Sequence, residues 1–276
     1  MTDFETADLP PLEKCMLAWA REAGQIARTH YRRTGELRFK EGRKAVTAAD
    51  VEIEKMLRRH IGEKFPDDGI VGEELGSDFE GTGPVGSSGR SWHLDPVDGT
   101  LNFALGLPGF CISLALLEGD KVLAACVYQP LLDDGFTATL GEGARLNGRQ
   151  IFLSRRSRLV DAVVGTQFKK NGRFVDSPEL LQAIFRETMK IRKVGAIALE
   201  LARVAVGSYD ALVASFKEKI HLHDVAGGLL LIREAGGRVT DHLGNDYVLG
   251  GPDLVATNGL IHDELIALIA KHSPDE

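Results

Sequence analysis

The chain has 276 residues, of which 43% are hydrophobic and 26% charged, and its formal net charge at pH 7 is −7. This length can bury a substantial core in one large domain or two modest ones. The negative charge argues against a nucleic-acid partner, which usually requires a basic stripe. The apolar runs fall well short of the roughly 18 residues that a membrane span needs, so no membrane partner is expected.

The cysteine pattern and the first residues predict a cytoplasmic protein. Cys15, Cys111 and Cys126 form an odd, widely spaced set without a C-x-x-C pair, which favours reduced, buried thiols. The segment 1–5 (MTDFE) lacks a basic region followed by an apolar core. No secretory signal is therefore expected.

The first half of the chain alternates helical and strand patterns. Apolar residues at helical spacing predict helices over Leu12–Tyr31 and Thr47–Phe65. A strand over Ser91–Leu94 is expected to lose its pairing at Pro96, which has no N–H to donate. A hairpin-like, antiparallel meander follows over 110–117, 122–128 and 135–140.

The second half mixes helices and strands in a different rhythm. Strands are predicted near 162–167, 209–215, 238–240 and 254–257, and helices near 178–190, 196–206, 224–235 and 260–271. The fold class is therefore α/β (α+β) in layers. We expect a single domain over 1–276 with halves of about 1–157 and 158–276.

The segment 95–100 (DPVDGT) carries the strongest chemical signal. Two carboxylates at the end of a strand repel each other unless a cation lies between them. Together with the Val97 carbonyl they offer the oxygen ligands that hard cations prefer. The Gly99-Thr100 step that follows can open a helix whose N–H groups face a bound anion. Metal-assisted phosphate hydrolysis is the chemistry that this pattern indicates.

Three further acidic sites each have a structural alternative. Asp50 fits a capping box with Thr47 and would then only secure the start of a helix. Asp224 precedes a long apolar helix, where capping is an equally good default. Glu73, next to Glu74, could lie in an exposed turn.

The sequence does not match other common phosphate-binding or metal-binding motifs. Position twelve of an EF-hand loop would be Gly106, and the chain has no G-x-x-x-x-G-K-[ST] and no G-x-S-x-G. The segment 141–143 (GEG) lacks the spacing of a dinucleotide fingerprint. An aspartyl-phosphate enzyme of the haloacid dehalogenase type would need D-x-D-x-T near its N-terminus, whereas this chain has D-x-x-D-G-T at 95–100.

Taken together, several segments resemble the inositol monophosphatase family of metal-dependent, lithium-sensitive sugar phosphatases. The matching pieces occur in the family's order along nearly the whole chain. They are 46–50 (VTAAD), 72–74 (GEE), 95–103 (DPVDGTLNF), 127–130 (VYQP), 141–148 (GEGARLNG), 194–195 (VG) and 223–227 (HDVAG).

The resemblance implies a fold of α-β-α-β-α layers, with a largely antiparallel N-terminal sheet and a mixed C-terminal sheet. It also implies a homodimer and two or three Mg²⁺ ions per active site. Carried over residue by residue, one metal would be held by Glu73, Asp95 and the Val97 carbonyl, and the second by Asp95, Asp98 and Asp224. Asp50 would pair with the Thr100 hydroxyl to orient a water activated by the two metals.

The resemblance further implies which residues contact the substrate. They are Gly99, Thr100, Gly195, Ala196 and Lys217, and Lys40 would approach an additional metal. The family commonly has Trp at the position of His223, whose bland interpretation is a supporting or surface histidine. It has a Glu near Lys217, where either that lysine or a shifted Glu218 would take its place, and a small hydroxyl residue near Lys193.

The implied activity is hydrolysis of a small polyol or sugar phosphate such as inositol monophosphate. The lysines would suit a substrate with a second anionic group, so fructose 1,6-bisphosphate and 3′-phosphoadenosine 5′-phosphate are alternatives, as is histidinol phosphate. The alternative from another class is a non-catalytic binding protein on the same fold.

Overall fold

The computed structural model describes residues 10–32, 38–39, 45–77, 86–168, 178–216 and 219–272, with the backbone alone at 38–39 and 45–46. Within these ranges the chain forms seven α-helices, none of them long and apolar enough to cross a membrane. The helices are α1 (Pro11–His30), α2 (Ala48–Lys64), α3 (Thr100–Ala104), α4 (Pro178–Glu187), α5 (Ile197–Ala205), α6 (Leu222–Glu234) and α7 (His262–His272).

The larger sheet has eight strands in the order β10-β9-β8-β7-β6-β5-β3-β4, and each pairing except β3 with β5 is antiparallel. A separate pair, β1 (Arg38–Phe39) and β2 (Ala45–Val46), is also antiparallel. The eight strands are β3 (Gly69–Gly72), β4 (Gly76–Ser77), β5 (Arg90–Asp98), β6 (Cys111–Glu118), β7 (Lys121–Gln129), β8 (Asp134–Thr139), β9 (Ala144–Leu146) and β10 (Arg149–Gln150).

The smaller sheet has five strands in the order β12-β11-β13-β15-β14. Its pairings of β11 with β12 and β13 are parallel, and the other two are antiparallel. These strands are β11 (Val163–Phe168), β12 (Lys190–Arg192), β13 (Ala211–Ser215), β14 (Arg238–Thr240) and β15 (Asp253–Thr257).

Helices and sheets alternate in five layers. Helices α1 and α2 cover one face of the larger sheet, and α6 packs on its other face. Helices α5 and α6 pack on each other and on the smaller sheet, whose far side contacts α4 and α7. Each interface encloses a cluster of buried apolar side chains, so α5 and α6 form a central layer shared by both sheets.

The structure confirms the predicted layered α/β fold and corrects two elements. Strand β5 continues past Pro96 to Asp98, because the proline lies within a register shift between Asp95 and Asp98, where the ladder needs no N–H from it. The helix predicted over 178–190 ends at Glu187, and Lys190 begins a short edge strand. The segment 81–90 (GTGPVGSSGR) predicts a flexible loop, of which residues 81–85 lie outside the described residues.

Candidate active site

Strand β5 delivers Asp95 to the interface with the central helices. Trp92 and Leu94 point into the core beneath α1 and α2, because alternate residues of a strand face opposite sides. His93 and Asp95 therefore face the side on which α6 packs. Asp95 is 2% exposed, and its Oδ1 accepts a hydrogen bond from the Val97 N–H at 3.0 Å.

The structure gathers the predicted acidic residues around Asp95. Burial raises the pKa of Asp95 well above its ordinary value, and the negative charges of four neighbouring carboxylates raise it further. These neighbours are Glu73, Asp98, Asp224 and Asp50. Because like charges gathered in a buried place are costly without a counter-ion, this cluster has the composition of a cation site.

Asp98 connects the two halves of the chain. Its carboxylate accepts backbone N–H groups from the first turn of α5, from Ile197 at 3.1 Å and Ala198 at 2.8 Å. Burial and the charge of Asp224 raise the pKa of Asp98 to about 8, although the hydrogen bond from the Ala198 N–H lowers it. Oδ2 also receives the Leu199 N–H at 3.4 Å and the Cys111 thiol at 3.5 Å, whereas Oδ1 accepts the Ile197 N–H. Oδ1 therefore keeps a lone pair with which Asp98 can ligate a cation.

Gly99 and Thr100 form a sharp turn into α3. Gly99 has φ +91°, which an L side chain rarely adopts, and a Cβ built there would lie 2.7 Å from the Gly109 carbonyl oxygen. The Ala196 Cβ would be 3.0 Å away, so the two predicted phosphate-binding segments lie side by side. The first N–H groups of α3 have no acceptor within the helix, and they are the groups predicted to face phosphate.

Asp50 lies at the start of α2 and forms the capping box with Thr47 that the sequence analysis gave as its structural alternative. Its Oδ2 accepts hydrogen bonds from the Thr47 N–H at 2.9 Å and from the Thr47 hydroxyl. The predicted bond to Thr100 is not formed in the structure, because the Thr100 hydroxyl donates to the Val97 carbonyl at 3.0 Å instead. Burial nevertheless raises the pKa of Asp50 to about 6, and Asp50 remains close enough to affect Asp95.

Glu73 lies in the turn after β3, where its N–H donates to the Leu94 carbonyl at 3.1 Å. Sequence reasoning missed the residue that holds this turn. Glu54 of α2 is fully buried and accepts the N–H groups of Glu74 at 2.8 Å and Leu75 at 3.1 Å. Its position one helical turn after Asp50 was the available signal.

Asp224 lies within the first turn of α6, which begins at Leu222, so it is not the capping residue. The Nε2 of His223 lies 3.5 Å from Asp224 Oδ1. A cavity of about 480 Å³ borders this turn and is lined by Gly72, His93 and the segment 219–223, among others. The site therefore opens beside both Glu73 and Asp224.

Of the remaining residues predicted to contact the substrate or a metal, some belong to the described part of the chain and others do not. Gly195 has φ +88° and precedes α5, and Asn102, which the sequence did not single out, donates to the Val194 carbonyl at 2.8 Å. Lys193 Nζ donates to the Phe168 carbonyl at 3.4 Å. Lys40, Lys217 and Glu218 lie outside the described residues.

The comparison with known families agrees with this geometry. The chain matches the model of the inositol monophosphatase family over residues 8–274, and it therefore belongs to that family. Members of this family are phosphatases, so the chain is a hydrolase of phosphate esters. The resemblance drawn from the sequence is thus confirmed.

Individual relatives cover most of the chain. A fructose-1,6-bisphosphatase/inositol-1-monophosphatase of Thermotoga maritima is 35% identical over 251 residues, or 90% of this chain and 92% of the relative. Nus factor SuhB of Pseudomonas aeruginosa is 34% identical over 272 residues, covering 96% and 98%. The solved structure of a Thermotoga maritima IMPase superposes with a TM-score of 0.83 at 33% identity, covering 93% of this chain and 96% of the other.

Proposed function

We propose that this chain is a Mg²⁺-dependent phosphomonoesterase that hydrolyses a small polyol or sugar phosphate. The observation that carries this proposal is the group of carboxylates around the buried Asp95, each of which raises the pKa of that residue. In its ionised form, a cluster of this kind destabilises the native state unless a cation offsets its charge. Glu73, Asp95 and the Val97 carbonyl would hold one ion, and Asp95, Asp98 and Asp224 a second.

Mg²⁺ held by these residues would supply positive charge that stabilises the negative charge on the phosphoryl oxygens. The chain's own residues supply position and proton handling. The N–H groups of Gly99 and Thr100 orient the phosphate at the start of α3. Asp50, with a pKa of about 6, is suited to accept a proton from the attacking water near neutral pH. The Thr100 hydroxyl keeps its lone pairs free while it donates to Val97.

The substrate is proposed as a class. The name of the Thermotoga maritima relative joins fructose 1,6-bisphosphate and inositol 1-phosphate, so both belong among the candidates. 3′-Phosphoadenosine 5′-phosphate and histidinol phosphate complete the set. The homodimer and the sensitivity to lithium remain predictions, which the mass in solution and a Li⁺ titration of activity test.

The first experiment measures phosphate release from these four compounds, each with Mg²⁺ and with EDTA. We expect release from at least one of them that EDTA abolishes. Folded, Mg²⁺-loaded protein that releases phosphate from none of them would contradict the proposal. An acid-stable phosphoenzyme would also contradict it, because direct attack by water forms no such species.

A second arm separates the two roles open to Asp50. Asp50→Asn keeps an oxygen that accepts the Thr47 N–H but removes the negative charge, whereas Asp50→Ala removes both. If Asp50 handles a proton, both variants lose activity by about a hundredfold or more. If Asp50 only caps α2, Asp50→Asn retains activity and Asp50→Ala loses about 1 kcal/mol of stability.

A further inference from the structure

His223 places an imidazole nitrogen beside the carboxylates of Glu73 and Asp224. One ligand atom from each of Glu73, His223 and Asp224 can be chosen so that all three atoms lie within 4.8 Å of one another. The His223 side chain is largely buried, at 9% exposure for the residue, and its Nε2 lies 3.5 Å from Asp224 Oδ1. The imidazole is therefore held within the acidic group rather than extended into solvent.

These separations suit a single cation. Two ligands of one ion with bonds of about 2.1 Å lie about 3–4 Å apart, depending on the coordination geometry. The 3.5 Å between His223 and Asp224 falls in that range, and a small closure brings Glu73 into it. The donor set is one imidazole nitrogen with two carboxylates. This composition favours Zn²⁺ or Co²⁺, since Mg²⁺ prefers oxygen ligands alone.

A second buried imidazole supports the same assignment. His93 is 7% exposed, and its Nε2 is 3.0 Å from the Ser91 hydroxyl. Within the described residues its Nδ1 has no hydrogen-bond partner, although the atom is buried. His93 and His223 line the same 480 Å³ cavity. His93 is not one of the three clustered ligands, but its buried ring nitrogen without a partner shows that the cavity beside them has a polar lining that water or an ion can satisfy.

We propose that Glu73, His223 and Asp224 form a mixed nitrogen–oxygen site that binds a zinc-like divalent cation more tightly than Mg²⁺. The inference rests on the proposed function in one respect, because Glu73 and Asp224 are also proposed Mg²⁺ ligands. Binding of the zinc-like ion therefore competes with Mg²⁺. An aromatic residue without a ligand nitrogen, such as the Trp common in the family, would not provide this site.

The test compares His223→Phe with His221→Phe in the full-length protein. Phenylalanine keeps an aromatic ring but removes the ligand nitrogens. His221 is the matched control, because its ring stacks on that of His223 with centroids 5.1 Å apart and lines the same cavity, yet it is not part of the cluster. Zn²⁺ affinity is measured by calorimetry without substrate, with and without Mg²⁺. Nitrogen ligation is measured by the superhyperfine splitting of bound Cu²⁺ in electron paramagnetic resonance.

We expect the wild-type protein and His221→Phe to bind one Zn²⁺ tightly and to show nitrogen splitting. His223→Phe should bind Zn²⁺ about tenfold more weakly or worse and lose that splitting. Added Mg²⁺ should weaken Zn²⁺ binding to the wild type. Circular dichroism and thermal unfolding confirm that each variant is folded, and a misfolded His223→Phe is replaced by His223→Gln.

Equal Zn²⁺ affinity in the wild type and in folded His223→Phe would overturn the proposal, as would nitrogen splitting that persists in that variant. Either result would leave His223 as the ion-pair partner of Asp224. Because these measurements use no substrate, they are independent of phosphate release. A protein that binds Zn²⁺ through His223 but hydrolyses nothing would refute the proposed function and uphold this site.

Discussion

At the scale of single residues, Asp95 illustrates a conflict between stability and chemistry. Its carboxylate is buried and surrounded by like charges that raise its pKa, so without a cation its ionised form destabilises the native state. The same charge is what the proposed cation site requires. A substitution that removes the charge and keeps the shape separates these two effects.

Asp95→Asn should therefore raise the melting temperature of the metal-free protein and lower phosphate release by about a thousandfold. The amide oxygen still accepts the Val97 N–H, so the turn is retained. Each kcal/mol gained raises the melting temperature by about 2–4 °C in a chain of this size. Thermal unfolding in EDTA and a phosphate-release assay measure the two effects.

The control is Asp120→Asn, which removes an acid from an exposed turn. It should alter stability by less than about 0.5 kcal/mol and leave activity unchanged. A metal-free Asp95→Asn protein less stable than the wild type would show that its carboxylate does not experience net repulsion.

At the scale of elements, the close packing of α5 on α6 sets the position of the site. Asp98 is held by the N-terminus of α5, and Asp224 belongs to the first turn of α6. A Cβ built on Gly228 of α6 would lie 2.4 Å from the Leu201 Cβ of α5. Glycine at this position therefore fixes the distance between two of the proposed metal-binding elements.

Gly228→Ala should cost about 1–3 kcal/mol of stability, because the two helices must separate to admit the methyl group. Gly62→Ala is the matched control, since Gly62 is exposed in α2 and a Cβ there meets nothing within 4 Å. It should stabilise the protein by about 0.5–1 kcal/mol. Urea unfolding of both variants measures these opposite signs, and equal effects would contradict the packing argument.

The elements also show what the sequence can and cannot predict. Hydrophobic periodicity located α1, α2 and the antiparallel meander, because each buries one face over many residues. It missed short strands such as β3, which have too few residues for a period. The segment 95–100 indicated its chemistry locally. The bond from Ala198 to Asp98 depends on tertiary packing that no local pattern encodes. The spacing of Glu54 from Asp50 could have drawn attention to Glu54, but not to the turn after β3 that it supports.

At the scale of the whole molecule, buried titratable groups make stability depend on pH in two opposing ways. Burial and like charges raise the pKa of Asp50 from 3.8 to about 6 and that of Asp98 from 3.8 to about 8. Between the ordinary and the raised pKa of each carboxyl group, the native state binds more protons than the unfolded state. Stability therefore falls as pH rises from about 3.8 to 6 for Asp50 and from about 3.8 to 8 for Asp98. Burial lowers the pKa of His93 and of His262 from 6.5 to about 4. The stability that these two neutral histidines contribute is therefore lost as pH falls from 6.5 to about 4.

The metal-free protein should therefore become more stable as pH falls from about 8 to about 6.5, and the two histidines should oppose any further gain below that. Saturating Mg²⁺ should flatten this dependence, because a bound cation favours the ionised carboxylates. Melting temperatures across this range, in EDTA and in Mg²⁺, measure both trends. Metal-free stability that rises with pH between 6.5 and 8 would contradict the pKa values.

The bonds between Asp98 and α5 also bear on the order in which the protein is made. A growing chain exposes Asp95 and Asp98 at the ribosome well before the residues of α5 and α6 are synthesised. Until those helices pack, Asp98 lacks the backbone N–H groups that hold it, and the two carboxylates remain hydrated. A nascent chain at this stage carries four of the five clustered carboxylates but neither of the helices that complete the site. Binding of a cation at the proposed site would therefore require the nearly finished polypeptide, and an incomplete chain would not catalyse the proposed hydrolysis.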